Sequence, residues 1–434
     1  MESLAQLKGA LVALGATHLL YKELSPNDNS KNQFYLGPNL DALNVLPVGD
    51  VVATLGSTGK PILKAPMRFA WLDSDGSPCA ASDAQVIYYP QYPEVRLSSL
   101  IRGCPAAPSD WLASREVGRV LVLGTTREGD VLAYLAQPGS QLAGEILGQP
   151  TTSRSGVFAE LPMEATGRER LFSALREAAD RGWVGAQRLT SEGLVVPCNG
   201  PNCGGFTLES LLGVLPNSVA GPDFAGWEIK QHGVTDFARL GSGSMTLMTP
   251  EPDGGIYVVD GFEAFVRRFG YPDTQGRVDR LNFGGHHEVG VVNARTGLTL
   301  AIPGFDADRC LIVDPMGGLE LLDARHEVAA RWSFAKLINH WRVKHSLCAY
   351  VPSLKRDEAG VEYRFGYRVG LGQGTGFELL AAALARGDVF YDPGLKLEQA
   401  STPRPVQKRR NQIRTAFRNV ADLYDVYEVL DVRQ

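Results

Sequence analysis

Two periodicities divide the chain. Residues 16–147 hold short runs rich in β-branched and aromatic side chains: HLLYKELS, QFYLG, VVATLG, MRFAWLD, QVIYYP and VRLSSLI. Turn-forming stretches such as PNDNSKN and DSDGSP separate them, so each run predicts a strand. RVLVLGTTREGDVLAYLAQ predicts a hairpin closed at Glu128-Gly129-Asp130, and GSQLAGEIL a closing helix. The opening MESLAQLKGALVALGATHLL also predicts a helix. So many short strands predict a mostly-β barrel or sandwich over 1–150. The polar, Gly/Pro-marked segment 148–156, GQPTTSRSG, predicts a linker.

Beyond it the pattern changes. GRERLFSALREAADRGWV places Leu171, Leu175 and Ala178 on one helical face. TLESLLGVL continues as a helix with Thr207 as its N-cap. Strands are expected in GWEIKQH, MTLMT, IYVVDG, HHEVGVVNA, LTLAIPG and CLIVDP. Helices are expected in WSFAKLINHWRVKHSL, in GFELLAAALARGD and over 404–427, whose start is basic. The mixture predicts an α/β or α+β unit over 157–434.

With 434 residues the chain exceeds one ordinary core, which supports two domains. Hydrophobic content of 44% and charged content of 21% place it among globular proteins. No apolar run reaches the ~20 residues of a membrane span, and the N-terminus lacks the basic region of a signal peptide. The six cysteines are scattered, which predicts reduced thiols and a cytoplasmic location. Cys198 and Cys203 have no second pair and no histidine at zinc spacing, so they too read as two thiols. A net charge of −5 argues against an indiscriminate nucleic-acid binder, while leaving room for a local basic cleft.

Several motif-like fragments fail. LGSTGKP lacks the first glycine of a phosphate loop and carries Pro61 at the Ser/Thr position. GLGQGTGF follows no clear βαβ pattern. His286 and His287 are adjacent, so a regular strand points them to opposite faces.

PDFAGWEIK, residues 222–230, sets Asp223, Glu228 and Lys230 at the spacing D-x4-E-x-K. On a strand Glu228 and Lys230 share a face. Gly226 permits a bend that lets Asp223 converge on Glu228. Two convergent carboxylates suit Mg²⁺, and a lysine beside them offsets negative charge developing on a phosphate. The same spacing also arises in an amphipathic strand with a surface salt bridge.

The longer segment GGFTLESLLGVLPNSVAGPDFAGWEIK resembles the catalytic segment of the MvaI/BcnI group of type II restriction endonucleases. That group has a PD-(D/E)XK fold close to the repair nickase MutH. The matching residues are Thr207, Leu208 and Glu209, then Leu212, Gly213 and Asn217, then Pro222, Asp223, Gly226, Trp227, Glu228, Ile229 and Lys230. SMTLMTPEPDGG is similar to the strand and turn that follow, and AKLINHWRVKHSL to a later lysine-bearing helix. The resemblance spans 157–434 and implies a mixed sheet flanked by helices. It implies Asp223 and Glu228 as Mg²⁺ ligands, Lys230 as catalytic lysine and Glu209 as an additional acid. It further implies cleavage of double-stranded DNA at a short CC-x-GG-like site by a monomeric catalytic unit. A repair nickase, or a non-catalytic DNA-binding regulator, are the alternatives.

The stretch 404–418 carries six basic and no acidic residues, among them Arg404, Lys408, Arg409, Arg410 and Arg414. It reads as a phosphate-contacting surface or a solvated helix face. In RVDRLNFGGHHEVG, Arg277, Arg280, Asn282, His286 and His287 are candidates for DNA recognition. The N-terminal part resembles the effector DNA-binding domain of EcoRII, a β-pseudobarrel, through a Lys/Ser/Asn turn and an I-Y-Y…E-x-R pattern. That resemblance implies DNA contacts by Asn29, Lys31, Asn32, Tyr92 and Arg96; a protein-interaction module is the other reading.

Overall fold

A computed structural model describes residues 1–26, 33–149, 154–161, 167–200, 202–215, 223–238, 241, 243–358 and 360–434. Asn29, Lys31, Asn32, Asn217 and Pro222 lie outside these residues. The chain forms two compact units. One comprises Met1–Thr166 with Leu311–Met316; the other comprises Gly167–Cys310 with Gly317–Gln434. No helix among the described residues is long and apolar enough to cross a membrane.

The first unit is built on two sheets. The seven-stranded one runs Arg154–Ser155, Phe158–Leu161, Ala16–Glu23, Val120–Thr126, Asp130–Ala136, Arg68–Leu72, Pro78–Ala80. Every residue of Val120–Thr126 is buried, which accounts for its unbroken apolar run. The expected hairpin at 128–130 is present, with Val131 opposite Thr125. The helix Leu4–Ala13 buries Leu4, Leu7 and Leu11, and the Ser3 hydroxyl caps it by accepting from the Gln6 amide. The second sheet is antiparallel, in the order Phe34–Gly37, Glu94–Ser98, Gln85–Tyr89, Pro61–Pro66, Val52–Leu55. The described strands thus form open sheets, not a closed barrel. The Tyr88 hydroxyl donates to the Ile312 carbonyl at 3.1 Å and ties the returning segment into this unit.

The second unit is α+β around a mixed sheet. Leu347–Asp357 lies at its centre. It pairs antiparallel with Val361–Phe365 and Arg368–Gln373, and parallel with Glu228–Gly233. Val426–Asp431 extends the sheet beyond Arg368–Gln373. The helices Gly167–Asp180 and Cys203–Leu211 cover one face. Leu171, Leu175, Ala178 and Leu208 there pack with Ile229, Ala349, Val351 and Leu371. The expected helical face of the first of these two helices is therefore the buried one.

Besides the barrel, five expectations are corrected. HHEVGVVNA forms no regular strand, only isolated bridges at His287, Val289 and Val292. Residues 404–427 form no long helix but the strands Val406–Lys408 and Ile413–Ala416 and a short 3-10 helix, Phe417–Leu423. Ile413 and Thr415 are buried while Arg414 is not, a period of two that the charges obscured. IYVVDG starts a helix, Ile256–Val259, between Gly255 and Gly261, both at positive φ. Thr207 is no N-cap: its helix begins at Cys203, and its buried hydroxyl donates to the Cys203 carbonyl and accepts the Gln187 amide. Cys198 and Cys203 are joined in a disulfide, Cα to Cα 5.7 Å, at the start of that helix. Five residues apart in sequence, they meet because Cys198 follows the strand Val195–Pro197, which runs into the turn before the helix.

Candidate active site

The stretch FAGW is a tight two-residue hairpin. Phe224 and Trp227 exchange both backbone hydrogen bonds, at 3.0 and 2.8 Å. Ala225 and Gly226, between them, have φ of 50° and 87°. Positive φ at both central residues is the signature of the primed turns that match strand twist. Gly226 meets this demand without cost, whereas Ala225 carries some strain. Continuing the antiparallel pair by one residue sets Asp223 opposite Glu228, at a position where facing side chains approach most closely. Accordingly Oδ2 of Asp223 accepts the amide of Ile229 at 2.9 Å.

Alternation along the strand sorts the remaining side chains. Trp227 and Ile229 enter the core beneath the two helices. Gln231 points the same way and reaches the Ser353 hydroxyl at 2.8 Å. Gly204 lies against it; a Cβ there would come within 2.6 Å of its amide oxygen. Glu228, Lys230 and His232 occupy the opposite face. Nζ of Lys230 donates to Oε1 of Glu228 at 3.2 Å, with the side chains 15% and 7% exposed. A pair so nearly enclosed is held by its own attraction more than by solvent.

Beneath this face the sheet is buried and uncharged. Glu228 is in register with Cys348 and Lys230 with Tyr350. Burial pushes the Cys348 thiol up to about 11. The hydroxyls of Tyr350 and Tyr424 share a 2.8 Å hydrogen bond, and burial holds both well above the usual phenol range. Burial alone would lower the Lys230 pKa, but the attraction of Glu228, aided by Asp223, outweighs it and the net shift is upward. Lys230 is therefore an ammonium at neutral pH, fit to oppose negative charge and unfit to remove a proton.

A cleft of about 320 Å³ opens beside Lys230, lined also by His232, Ser244, Thr246 and Phe417 and by the backbone at Gly241 and Gly243. Its far wall is the strand Ser244–Met248, which pairs with Ile413–Ala416 so that Thr246 faces Arg414. Among the described residues no three of His, Cys, Asp and Glu form a metal-holding group. The donor set here is the two carboxylates of Asp223 and Glu228. That chemistry fits Mg²⁺, which commonly takes one or two protein carboxylates and completes its shell with waters and substrate phosphate. Glu209 is half-buried on the helix that covers the Ile229 and Gln231 face, and it is not gathered into such a group.

The other sequence candidates divide by environment. Arg277 is exposed on a loop braced by Asp273. Asp273 accepts from Asn282 at 2.8 Å and from Nε of Arg280 at 3.0 Å, and these bonds hold its carboxyl well below the usual range. Arg280 and Asn282 thus rigidify the loop. His286 is exposed and stacks on Phe390 at 4.3 Å. His287 is fully buried, bonded to the Gly285 carbonyl and the Thr296 hydroxyl, and burial lowers its pKa to about 4. Although no regular strand runs through them, the two histidines differ in exposure, and His287 belongs to the core. Arg404 and Arg410 are exposed. Lys408 pairs with Glu398 at 2.7 Å. Arg409 lies over the Phe262 ring at 4.8 Å. Arg414 pairs with Asp392 at 2.6 Å. In the first unit Tyr92 is 64% exposed, and Glu94 grips Arg96 through two 2.9 Å bonds. His232, Ser244, Thr246 and Phe417 were not singled out from sequence. For His232 the signal was available, since it continues the alternation from Glu228 and Lys230.

Known proteins match part of this chain. The model of the MvaI/BcnI restriction endonuclease family matches residues 172–424. The restriction endonuclease MvaI in complex with its cognate DNA substrate is similar at 18% identity and a TM-score of 0.46, covering 62% of this chain and 99% of that one. MvaI in the absence of DNA is similar at 17% identity and a TM-score of 0.36, with the same coverage. None of the curated proteins matches. With more than half its length matched, the chain belongs to the MvaI/BcnI restriction endonuclease family and is a DNA nuclease, a hydrolase.

Proposed function

We propose that the chain is a type II, Mg²⁺-dependent endonuclease that cleaves double-stranded DNA at a short CC-x-GG-like site. The observation that supports this most is the primed turn at Ala225-Gly226, which sets Asp223 opposite Glu228, with Lys230 on the same strand face as Glu228 and at the rim of a cleft. Asp223 and Glu228 are the residues that would hold the ion. When bound, the ion polarises a phosphoryl oxygen and acidifies a water. Asp223 anchors its own hairpin through Oδ2, and its other oxygen is the one that would hold the ion. Lys230 keeps its proton and opposes the charge that builds on the scissile phosphate. The buried, uncharged tyrosine and cysteine floor keeps water from screening that charge. Glu209, on the helix over the Ile229 and Gln231 face, is the auxiliary acid that the family resemblance implies.

On this reading 157–434 is a monomeric catalytic domain working in the cytoplasm. Arg277, His286, Arg404 and Arg410 supply exposed DNA contacts, and Lys408, Arg409 and Arg414 need their present partners displaced to join them. Residues 1–150 act as a DNA-sensing domain through the surface carrying Tyr92 and Arg96. Digestion of unmethylated plasmid in Mg²⁺, with sequencing of the ends, tests the proposal. Discrete ends at one recurrent sequence are expected for the wild type, and none for Asp223→Ala or Glu228→Ala. Undiminished cleavage by either variant removes the proposed site.

A further inference from the structure

We propose that His232 is a DNA-backbone contact beside the reaction site, gripping a phosphate that neighbours the scissile one. The inference rests on the nuclease reading and adds a residue that the D-x4-E-x-K pattern does not contain. Strand geometry places His232 on the face of Glu228 and Lys230, one two-residue repeat beyond the lysine, about 6.6 Å along the strand. It lines the same cleft as Lys230. The imidazole stacks on Phe417, with ring centroids 4.1 Å apart and planes 26° apart. Gly241, at φ 111°, lies against the ring; a Cβ there would come within 3.1 Å of Cδ2. The ring is thus fixed before substrate arrives, and fixed donors lose little entropy on binding. Among the described residues that line this cleft are Lys230, His232, Ser244 and Thr246, and none of the described lining is acidic. A groove whose described lining carries the Lys230 ammonium, an imidazole and two hydroxyls complements an extended anion. A phosphodiester chain entering with its scissile phosphate at Lys230 lays the next phosphate along this wall.

The test compares wild type, His232→Ala and His232→Gln. Binding to a linear plasmid fragment is measured in EDTA, and steady-state cleavage of the same fragment in Mg²⁺. A hydrogen bond to a charged oxygen predicts that His232→Ala binds about tenfold to a hundredfold more weakly. Its KM should rise by a similar factor while kcat holds, because the contact exists in ground and transition states alike. His232→Gln, which keeps an N–H donor, should recover most of the loss. A methylphosphonate at one of the two phosphates flanking the mapped cut should abolish the difference between wild type and His232→Ala. The proposal is overturned if His232→Ala binds and cleaves as wild type does. It is equally overturned if both variants lose kcat at unchanged KM, the mark of a packing role only. A wild type that cleaves no duplex refutes the nuclease reading instead, and the EDTA binding series still decides whether His232 touches DNA.

Discussion

Replacing Lys230 with methionine isolates its charge, because the side chain keeps nearly the same length and apolar stem. Two effects should follow from the geometry. The first is kinetic. A single preorganised charge or donor at a developing oxyanion contributes about 10²–10³ in rate, so single-turnover cleavage should slow by that factor at saturating DNA. The second is thermodynamic. Glu228 is only 7% exposed and would lose the ammonium 3.2 Å away. An enclosed carboxylate without its cation costs about 1–3 kcal/mol, visible as a lower urea midpoint. Because Glu228→Gln strands the ammonium in turn, the double variant should be more stable than the two single losses imply, with a coupling energy of about 1–3 kcal/mol. Plasmid cleavage under single-turnover conditions and chemical unfolding of all four proteins read the two effects separately. A Lys230→Met protein that cleaves at the wild-type rate would falsify the assignment of Lys230, whatever its stability.

Gly226→Val puts a β-branched residue at φ 87° and should cost about 1–2 kcal/mol, while swinging Asp223 away from Glu228 and abolishing cleavage; normal activity would show that the turn is not needed. Arg410→Ala should lower the slope of log binding constant against log salt by about one, whereas Arg409→Ala, whose guanidinium must first leave Phe262, should lower it by less and also change stability; equal slopes for both would count against this sorting of the basic stretch. His287 titrates near 6.5 when unfolded and near 4 when folded. Its share of stability is therefore complete above pH 6.5 and is lost as the pH falls toward 4, by up to about 3 kcal/mol, since the unfolded chain takes the proton first. Urea unfolding between pH 7 and 4.5 should show a slope that His287→Gln flattens, and an unchanged slope in that variant refutes the burial argument. Replacing both Cys198 and Cys203 with alanine should lower stability by about 2 kcal/mol, as expected for a small closed loop, and a midpoint equal to wild type would contradict it.

Local chemistry sufficed for much of this protein. The apolar stripe at Leu171, Leu175 and Ala178, the hairpin at 128–130 and the W-E-I-K alternation each follow from one neighbourhood of the chain, because helix and strand periods are written into contiguous residues. The D-x4-E-x-K spacing and the family resemblance around it were legible for the same reason. Other features depended on partners far away in sequence. Whether 404–418 becomes a helix or two strands was decided by pairing: Ile413 and Thr415 have partners on Ser244–Met248 and Val389–Tyr391, and a run of like charges carries no record of them. The meeting of Cys198 with Cys203 depended on how the strand before them turns into the helix. The charge of Lys230 is a balance between burial, to which the sheet neighbours Cys348 and Tyr350 more than a hundred residues downstream belong, and the attraction of Glu228 and Asp223, which prevails. His232 became a candidate only when Phe417 and Gly241 closed around its ring. Periodicity encodes which face of an element turns inward, but the dielectric, the stacking partner and the width of a cleft arise where separate elements meet, and those interactions are absent until the chain has folded.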